Sequence, residues 1–522
     1  MNVRRRRDFL ADVGRGMLVA SIGSAATLEL GLVKSFAANI DDANPDRLTF
    51  GALEPLVALM QETPAEKLMP LLVQRLNSGV DLKTLVSAAA LANARAFGGQ
   101  DYTGFHTFMA LAPALQISQE LPAARRALPV LKVIYRNSSR IQEQGKNDHD
   151  TLAPIEAHAA PDPLLSGAQL RDAVRAVDWQ RAESQFAARV AASPEDAFND
   201  LQFAVEDEND VHRVVFSWRA WVMLDLAGEE YAQTLLRQSV RYCLDVEQRM
   251  HEKNYPESKV RELLPRLLDE YKLLGVKLGT READDQWTEQ LAQTVFTGTH
   301  EEAATAVAAA LAEGFDPEAI GESLSRAANL LVLHDPGRSV GSSAPNKPPG
   351  CVHGDSVGVH ASDAANAWRN IARVGNRRTK IASLLVGAFH TAGQHGYVTD
   401  QRFPYAEQLA ALAAVNDGDK LIVETEAAIK SNDQARACAL IDRYGQLALP
   451  PEPVFDLMRT YAVSEDGALH AEKYFRTVTE EYATTSPTYR WRQLIALARV
   501  TASEHGYAAP GYQQACELLR IS

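Results

Sequence analysis

Residues 301 to 314 read EEAATAVAAALAEG. Acidic residues open this stretch, apolar residues recur at the three- and four-residue spacing of a helix, and a glycine ends it. EKLMPLLVQRLNSG at 66 to 79 follows the same order, and TKIASLLVGAF at 379 to 389 shows the same apolar spacing. Alternating patterns with hairpin turns are nearly absent. The sequence therefore predicts an all-α protein of many short antiparallel helices.

Four short patterns occur twice along the chain in the same order. LNSGVD is matched by LAEGFD, and a pair of arginines recurs at 125–126 and 377–378. GFH, ending at His106, is matched by GVH, ending at His360. FAVEDENDVH, ending at His212, is matched by YAVSEDGALH, ending at His470. We predict an internal duplication of HEAT-like helix hairpins, with halves at 45–255 and 285–510 related by a pseudo-twofold axis.

A glycine- and proline-rich segment at 336–362 interrupts the second half. Loops of this length inside compact domains are usually functional or disordered, so we expect this one to contribute to a site. His353 and His360 lie near its end. Ser362 and Asp363 follow as the predicted N-cap of the next helix, which would place the His360 imidazole just outside the helix N-terminus.

The composition excludes several classes of partner. The chain has 522 residues, of which 46% are hydrophobic, and 53 Lys and Arg against 67 Asp and Glu give a net charge of −14. This acidic balance argues against a nucleic-acid-binding protein and against attraction to an anionic membrane surface. The length is enough to bury a large core.

The N-terminus departs from this balance. It begins with a run of arginines, continues with a moderately apolar segment and reaches Ser35-Phe36-Ala37. Arg6-Arg7-Asp8-Phe9-Leu10 resembles the twin-arginine export motif, and the resemblance covers only this segment. It implies a signal peptide at residues 1–37, the twin-arginine translocation machinery as partner, and a periplasmic or secreted protein that keeps no stable membrane span after cleavage. Proteins exported by this route fold first and often acquire a cofactor.

The repeated histidines are the candidate site residues. A symmetric arrangement of the halves would bring His106 toward His360 and His212 toward His470. Glu208 and Asp466 each precede a histidine by four residues, so each acid would share a helix face with its imidazole if that stretch is helical. Histidines and carboxylates from facing helices are typical of metal sites in helical bundles. We therefore predict a transition-metal site for Fe, Cu or Zn with His106, His360, His212, His470, His353, Glu208 and Asp466 as candidate ligands.

Three functions remain open from the sequence. The favoured one is an exported, metal-dependent oxidoreductase acting at a cleft between the halves. The first alternative is a non-catalytic α-helical repeat scaffold that binds a polymer or an exported protein, in which case the histidines would lie on the outer surface. The second is a polysaccharide lyase or hydrolase, suggested only by analogy with helical folds. The small-molecule or polymer ligand is not identified by any motif.

Overall fold

The computed structural model describes residues 47–521, apart from residues 146–150, 158–161, 276 and 355. The predicted signal peptide at 1–37 lies outside the described residues. In the part that is described, the secondary structure is helical throughout and β-pairing is limited to three isolated bridges. The predicted all-α class is therefore confirmed, while the internal duplication stays a prediction.

The α-helices of the first half are α1 Glu54–Glu62, α2 Ala65–Asn77, α3 Leu82–Phe97, α4 Tyr102–Glu120, α5 Ala127–Gln144, α6 Ser166–Arg175, α7 Trp179–Ala192, α8 Pro194–Val205, α9 Val211–Ala227 and α10 Ala232–Lys253. Those that follow are α11 Val260–Glu270, α12 Asp285–Thr297, α13 His300–Ala312, α14 Pro317–Leu333, α15 Val357–Val374, α16 Arg377–Ala392, α17 Ala406–Ala411, α18 Gly418–Lys430, α19 Gln434–Gln446, α20 Glu452–Ser464, α21 Ala471–Thr484, α22 Trp491–Glu504 and α23 Tyr512–Leu519. Short 3-10 helices lie at Gly51–Leu53, Ala123–Arg125, Glu229–Tyr231, Val340–Ser342, His395–Tyr397 and Gly467–Leu469.

Four helices enclose the centre of the molecule. Helix α4 packs against α9, α9 against α15, α15 against α21, and α21 against α4, so the four contacts close a ring. One continuous set of buried apolar side chains extends from Phe50 to Ala515 and surrounds this ring. Because burial of apolar surface is the main favourable contribution to folding, this core holds the four helices in fixed positions.

A buried ion pair fixes α21 against the first half. Lys132 of α5 and Glu472 of α21 are fully buried, and their Nζ and Oε1 atoms lie 2.6 Å apart. Lys132 also donates to the backbone carbonyl of Ala462 at 3.0 Å. Breaking such a pair would leave an uncompensated buried charge, which is strongly destabilising. The pair therefore sets the position of the segment that carries His470.

No helix among the described residues combines the length and the apolar character that crossing a membrane would need.

Candidate metal centre

Four histidine rings meet inside the ring of helices. The ring centroids of His106 and His212 are 4.9 Å apart, those of His212 and His360 5.6 Å, those of His360 and His470 4.8 Å, and those of His470 and His106 5.1 Å. His106 and His470 are buried, with exposed fractions of 3% and 2%. We call these four residues the histidine cluster. They come from α4, α9, α15 and the residue before α21, so three helices and the N-cap of a fourth each contribute one imidazole.

Three members of the histidine cluster lie within the first five residues of their helices, and His470 is an N-cap residue. Asp101 caps α4 by accepting a hydrogen bond from Gly104 N at 2.6 Å. Asp210 caps α9 through His212 N at 2.8 Å, and Ser356 is the N-cap of α15. His470 is itself the N-cap residue of α21. The local sequence thus fixes where each helix begins, and the helix starts place the imidazoles together.

The Nδ1 atom of three of these imidazoles faces a backbone carbonyl. His106 Nδ1 lies 2.7 Å from Tyr102 O, His360 Nδ1 3.1 Å from Ser356 O, and His470 Nδ1 3.0 Å from Ala468 O. A carbonyl oxygen only accepts hydrogen bonds, so each Nδ1 carries the hydrogen and donates it. In the neutral form, the Nε2 atom of each ring is then a lone-pair donor. Metal-binding histidines are oriented in this way.

The Nε2 atoms of two members of the histidine cluster face each other. His360 Nε2 and His470 Nε2 are 3.0 Å apart. His106 Nε2 and His212 Nε2 are buried and have no hydrogen-bond partner. One ligand atom from each of His106, His212 and His360 can be chosen so that all three lie within 4.8 Å of one another. Because two lone pairs at 3.0 Å repel each other, this geometry calls for a proton or a metal ion between them.

Asp210 is the site residue that the sequence analysis missed. Its Oδ1 lies 3.4 Å from His212 Nδ1, and its Oδ2 accepts a hydrogen bond from Tyr242 Oη at 2.7 Å. Burial would raise the pKa of Asp210, but the hydrogen bonds from His212 and Tyr242 outweigh burial, and the pKa lies well below its usual range. The carboxylate therefore stays ionised beside His212. The sequence did contain a signal for this residue. It was an aspartate at a helix N-cap, two residues before a histidine at the second position of that helix.

Burial and nearby charge keep the imidazoles of His106 and His470 neutral. Burial lowers the pKa of both His106 and His470 well below the usual histidine value, and the Lys473 ammonium lowers both further. Burial also lowers the pKa of Lys473 to about 8, although Asp363 opposes the shift. Neutral imidazole is the form that binds a metal ion, so no proton has to be removed from these rings at neutral pH.

Aromatic side chains form one wall of the histidine cluster. The Tyr102 ring centroid lies 4.4 Å from that of His106, and the Phe105 ring stacks on His106 at 4.9 Å. Tyr102 is 58% exposed, whereas Phe105 is buried. The cluster therefore lies one side chain below the surface on the Tyr102 side.

Three other predicted ligands lie outside the histidine cluster. His353 Nε2 faces Glu504 Oε1 at 3.8 Å. Glu208 lies in the turn between α8 and α9, where its Oε1 accepts from Asn209 N at 3.1 Å. Asp466 Oδ1 lies 3.7 Å from Arg136 Nη2. Neither acid shares a continuous helix with the histidine that follows it, because a turn separates Glu208 from α9 and Asp466 precedes the Gly467–Leu469 3-10 helix.

The predicted N-cap of α15 was wrong. The helix begins at Val357 with Ser356 as its N-cap, so the connecting segment ends before residue 362 and His360 lies inside the first turn. Ser362 and Asp363 are buried residues of the helix interior. Thr477 of α21 donates a hydrogen bond to Asp363 Oδ1 at 2.8 Å, which satisfies a carboxylate that would otherwise favour a helix start.

Comparison with protein-family models, with curated proteins and with solved structures finds no match to this chain.

Proposed function

We propose that the histidine cluster binds one transition-metal ion and that the protein is a metal-dependent oxidoreductase. The observation that supports the metal site is the 3.0 Å approach of His360 Nε2 and His470 Nε2, both of which have their hydrogen on Nδ1. A metal ion would accept both lone pairs. It would also supply a partner for the buried Nε2 atoms of His106 and His212.

The donors of the histidine cluster would suit an ion that prefers imidazole nitrogen. Imidazole nitrogens lie about 2.0–2.1 Å from a bound ion, so two nitrogens that share one ion lie about 3–4 Å apart. The 3.0 Å distance between the Nε2 atoms of His360 and His470 is within this range. Imidazole suits copper, iron and zinc.

A redox-active ion held by these imidazoles would supply the electron-transfer chemistry of the proposed oxidoreductase activity. The predicted twin-arginine signal agrees with it, because this export route carries proteins that have already folded around a cofactor. The protein would then act in the periplasm or outside the cell. The scaffold alternative expects the repeated histidines on the outer surface, whereas His106 and His470 are 3% and 2% exposed. The lyase or hydrolase alternative stays a prediction.

Metal content tests the proposal. The full chain, loaded with Cu(II), Fe(II) or Zn(II) and desalted, should retain about one ion per chain by mass spectrometry. His360→Ala and His106→Ala should each retain less than a fifth of that amount, because each removes one of four donors. His334→Ala is the matched control, since His334 Nδ1 also faces a backbone carbonyl, Thr399 O at 3.0 Å, but the residue lies outside the histidine cluster.

Circular dichroism shows whether each variant folds, and His360→Gln replaces His360→Ala if it does not. Equal metal retention in folded wild type, His360 variants and His334→Ala would refute the proposal, as would the absence of retained metal in the wild type.

A further inference from the structure

An arginine-lined cavity lies between α6, α11 and α16, and none of the residues that line it belongs to the histidine cluster. Its volume is about 290 Å³. The charged residues of its lining are Arg171, Arg175, Arg261, Arg378, Glu206 and Asp207. Arg378 belongs to the repeated arginine pair at 377–378, and both acids belong to the repeated stretch that ends at His212. The proposed metal site gives a role to neither the arginine pair nor these acids.

The two carboxylates of this cavity already accept hydrogen bonds through both of their oxygens. Arg175 donates from Nε to Asp207 Oδ2 at 2.6 Å and from Nη2 to Asp207 Oδ1 at 2.7 Å. Arg378 donates to both oxygens of Glu206, with Nη1 2.8 Å from Oε2. Each bidentate pair uses only two of the five N–H hydrogens of its arginine. The remaining hydrogens make the wall rich in hydrogen-bond donors.

Contacts with the rest of the protein hold two of the guanidinium groups in place. The Arg378 guanidinium carbon lies 3.4 Å from the centroid of the Phe203 ring. Arg261 donates from Nε to Asp207 O at 3.2 Å and from Nη2 to Glu247 Oε1 at 2.6 Å. Groups that are ordered in advance lose little conformational entropy when they bind a ligand. The planar guanidinium fork matches the geometry of an oxyanion.

Helix α11 adds an apolar surface to the same cavity. Val260, Leu264 and Leu268 line it and are 2%, 6% and 8% exposed. The side chains of Arg171 and Arg175 are 28% and 34% exposed, so the cavity is open to solvent beside α6. Binding sites for small molecules commonly combine apolar walls with a few polar groups that fix orientation. This lining fits a ligand that has an apolar body and an anionic end.

The surrounding charges limit the charge of that ligand. Four arginines and two acids give the lining a net charge of plus two. The charged residues that interact with these arginines from beyond the lining are Asp172, Glu247, Glu257 and Glu208, and Arg213 shares Glu247 with Arg261. Burial raises the pKa of Glu208. The wider surroundings are therefore close to neutral, which suits a singly charged carboxylate better than a phosphate group of about −1.5 to −2.

We propose that this cavity binds a small organic carboxylate with an apolar body. The carboxylate would accept hydrogen bonds from Arg171 and the neighbouring arginines, and the apolar body would lie against α11. A volume of about 290 Å³ holds roughly ten non-hydrogen atoms, because a water molecule takes about 30 Å³ in the liquid. Since the lining shares no residue with the histidine cluster, this site does not depend on a bound metal ion.

Octanoate and octanamide, which are of this size, test the importance of the charge. Isothermal titration calorimetry of the full chain measures both affinities. We expect one octanoate to bind per chain, at least tenfold more tightly than octanamide, because charge-assisted hydrogen bonds are the stronger ones. Butanoate keeps the carboxylate but lacks four methylene groups, so it should bind at least tenfold more weakly than octanoate. Hexyl phosphate should bind no more tightly than octanoate.

Arg171→Gln tests the location of the site. Removing Arg171 should disturb the fold little, because its partner Asp172 is the adjacent residue and has a side chain that is 56% exposed. Octanoate affinity should fall at least fivefold, and Arg171→Lys should recover part of the loss because it keeps the charge. Arg492→Gln is the matched control. The Arg492 side chain is also 28% exposed and pairs with Glu289, but it lies outside the cavity.

Several results would overturn the carboxylate site. They are a lack of octanoate binding to the wild type, equal octanoate affinities of folded Arg171→Gln and Arg492→Gln, and equal affinities of the wild type for octanoate and octanamide. Tighter binding of hexyl phosphate than of octanoate would contradict the assignment of a carboxylate ligand. Circular dichroism shows whether each variant folds. All titrations are done without added metal, so their outcome is independent of the proposed metal site.

Discussion

The hydrogen on each Nδ1 decides what the individual histidines can do. Tyr102, Ser356 and Ala468 accept these hydrogens through their backbone carbonyls, and the Nε2 lone pairs are consequently directed inward. The four histidines could be predicted from the sequence because each occupies a repeated pattern. Their ring orientation could not, since it depends on carbonyl groups whose positions follow from the helix starts.

Asp210 shows a second limit of prediction from single residues. The spacing of four residues pointed to Glu208 as the partner of His212, on the assumption of a continuous helix. The chain forms a turn there instead, and the carboxylate two residues before His212 reaches its Nδ1 at 3.4 Å. Capping geometry, which pairs a residue with the backbone two or three positions later, outweighs helical periodicity at a helix start.

The Asp210→Asn variant tests this assignment. Asparagine caps a helix as well as aspartate does, so the helix start should be kept, while loss of the negative charge, which the lowered pKa of Asp210 shows to be stabilising, should reduce stability. Metal affinity should fall by about 10–100-fold, the usual effect of removing a carboxylate that orients a metal-binding histidine. Isothermal titration calorimetry with copper or zinc measures the change. Asp316→Asn is the control, because Asp316 caps α14 through Glu318 N at 2.8 Å as Asp210 caps α9. Equal affinities for the two variants would contradict the role of Asp210.

At the scale of secondary-structure elements, the segment before α21 is strained. Gly467, Ala468 and Leu469 have φ angles of 48°, 47° and 67°, all in the left-handed region. This conformation costs an L-residue about 1–2 kcal/mol relative to the right-handed one. The turn that results presents Ala468 O to His470 Nδ1. Strain of this kind is concentrated at functional sites, where the surrounding structure maintains it.

Replacing Ala468 with glycine should relieve the strain and loosen the site. Ala448, with φ of 52°, provides the control because it is a left-handed alanine outside the histidine cluster. Both Ala468→Gly and Ala448→Gly should gain about 0.5–1 kcal/mol of stability, after the greater chain entropy of glycine is counted. Only Ala468→Gly should weaken metal binding, by several-fold. Urea denaturation of the two variants measures their stability, and metal titration measures their metal affinity. Equal metal affinities would show that the strained turn does not orient His470.

The presence of the helices could be predicted from the sequence. The residues at which they start were harder to predict. The apolar periodicity of α13 and the glycine that follows it agree with the structure. For α15, two serines could each serve as N-cap. Ser356 is the N-cap, while Ser362 Oγ donates to Gly358 O at 2.9 Å inside the helix. Thr477 of α21 donates to the neighbouring Asp363, a contact between segments that are distant in the sequence.

At the scale of the whole molecule, the histidines follow one another around a closed ring of four helices. His106 and its predicted repeat counterpart His360 lie on opposite sides of that ring, as do His212 and His470. The all-α class was predictable from periodicity alone. The closed arrangement was not, because it depends on packing between helices more than 100 residues apart, such as α4 and α21.

Buried histidines should make the metal-free protein sensitive to acid. Burial lowers the pKa of His390 to about 4. Burial also lowers the pKa of His106 and of His470. The unfolded chain binds protons from about pH 6.5 downward, whereas these folded groups do not. Their stability contribution is therefore complete above pH 6.5 and is lost as the pH falls toward their folded pKa.

For His390 alone, the loss between pH 7.5 and pH 5 should be about 2 kcal/mol. Urea denaturation at both pH values measures it. His390→Gln keeps an acceptor for Trp368 Nε1 but does not titrate, so its loss over the same interval should be smaller by about that amount. An equal loss in wild type and variant would contradict the assigned pKa shift.

The central claim is that the four imidazoles share one ion, and an anomalous-scattering crystal structure of the copper-loaded full chain tests it most directly. The account predicts a single strong anomalous peak at the copper edge, about 2.0–2.1 Å from the Nε2 atoms of His106, His212, His360 and His470. A copper peak at other residues, or the absence of a peak at these four histidines in protein that contains copper, would contradict it.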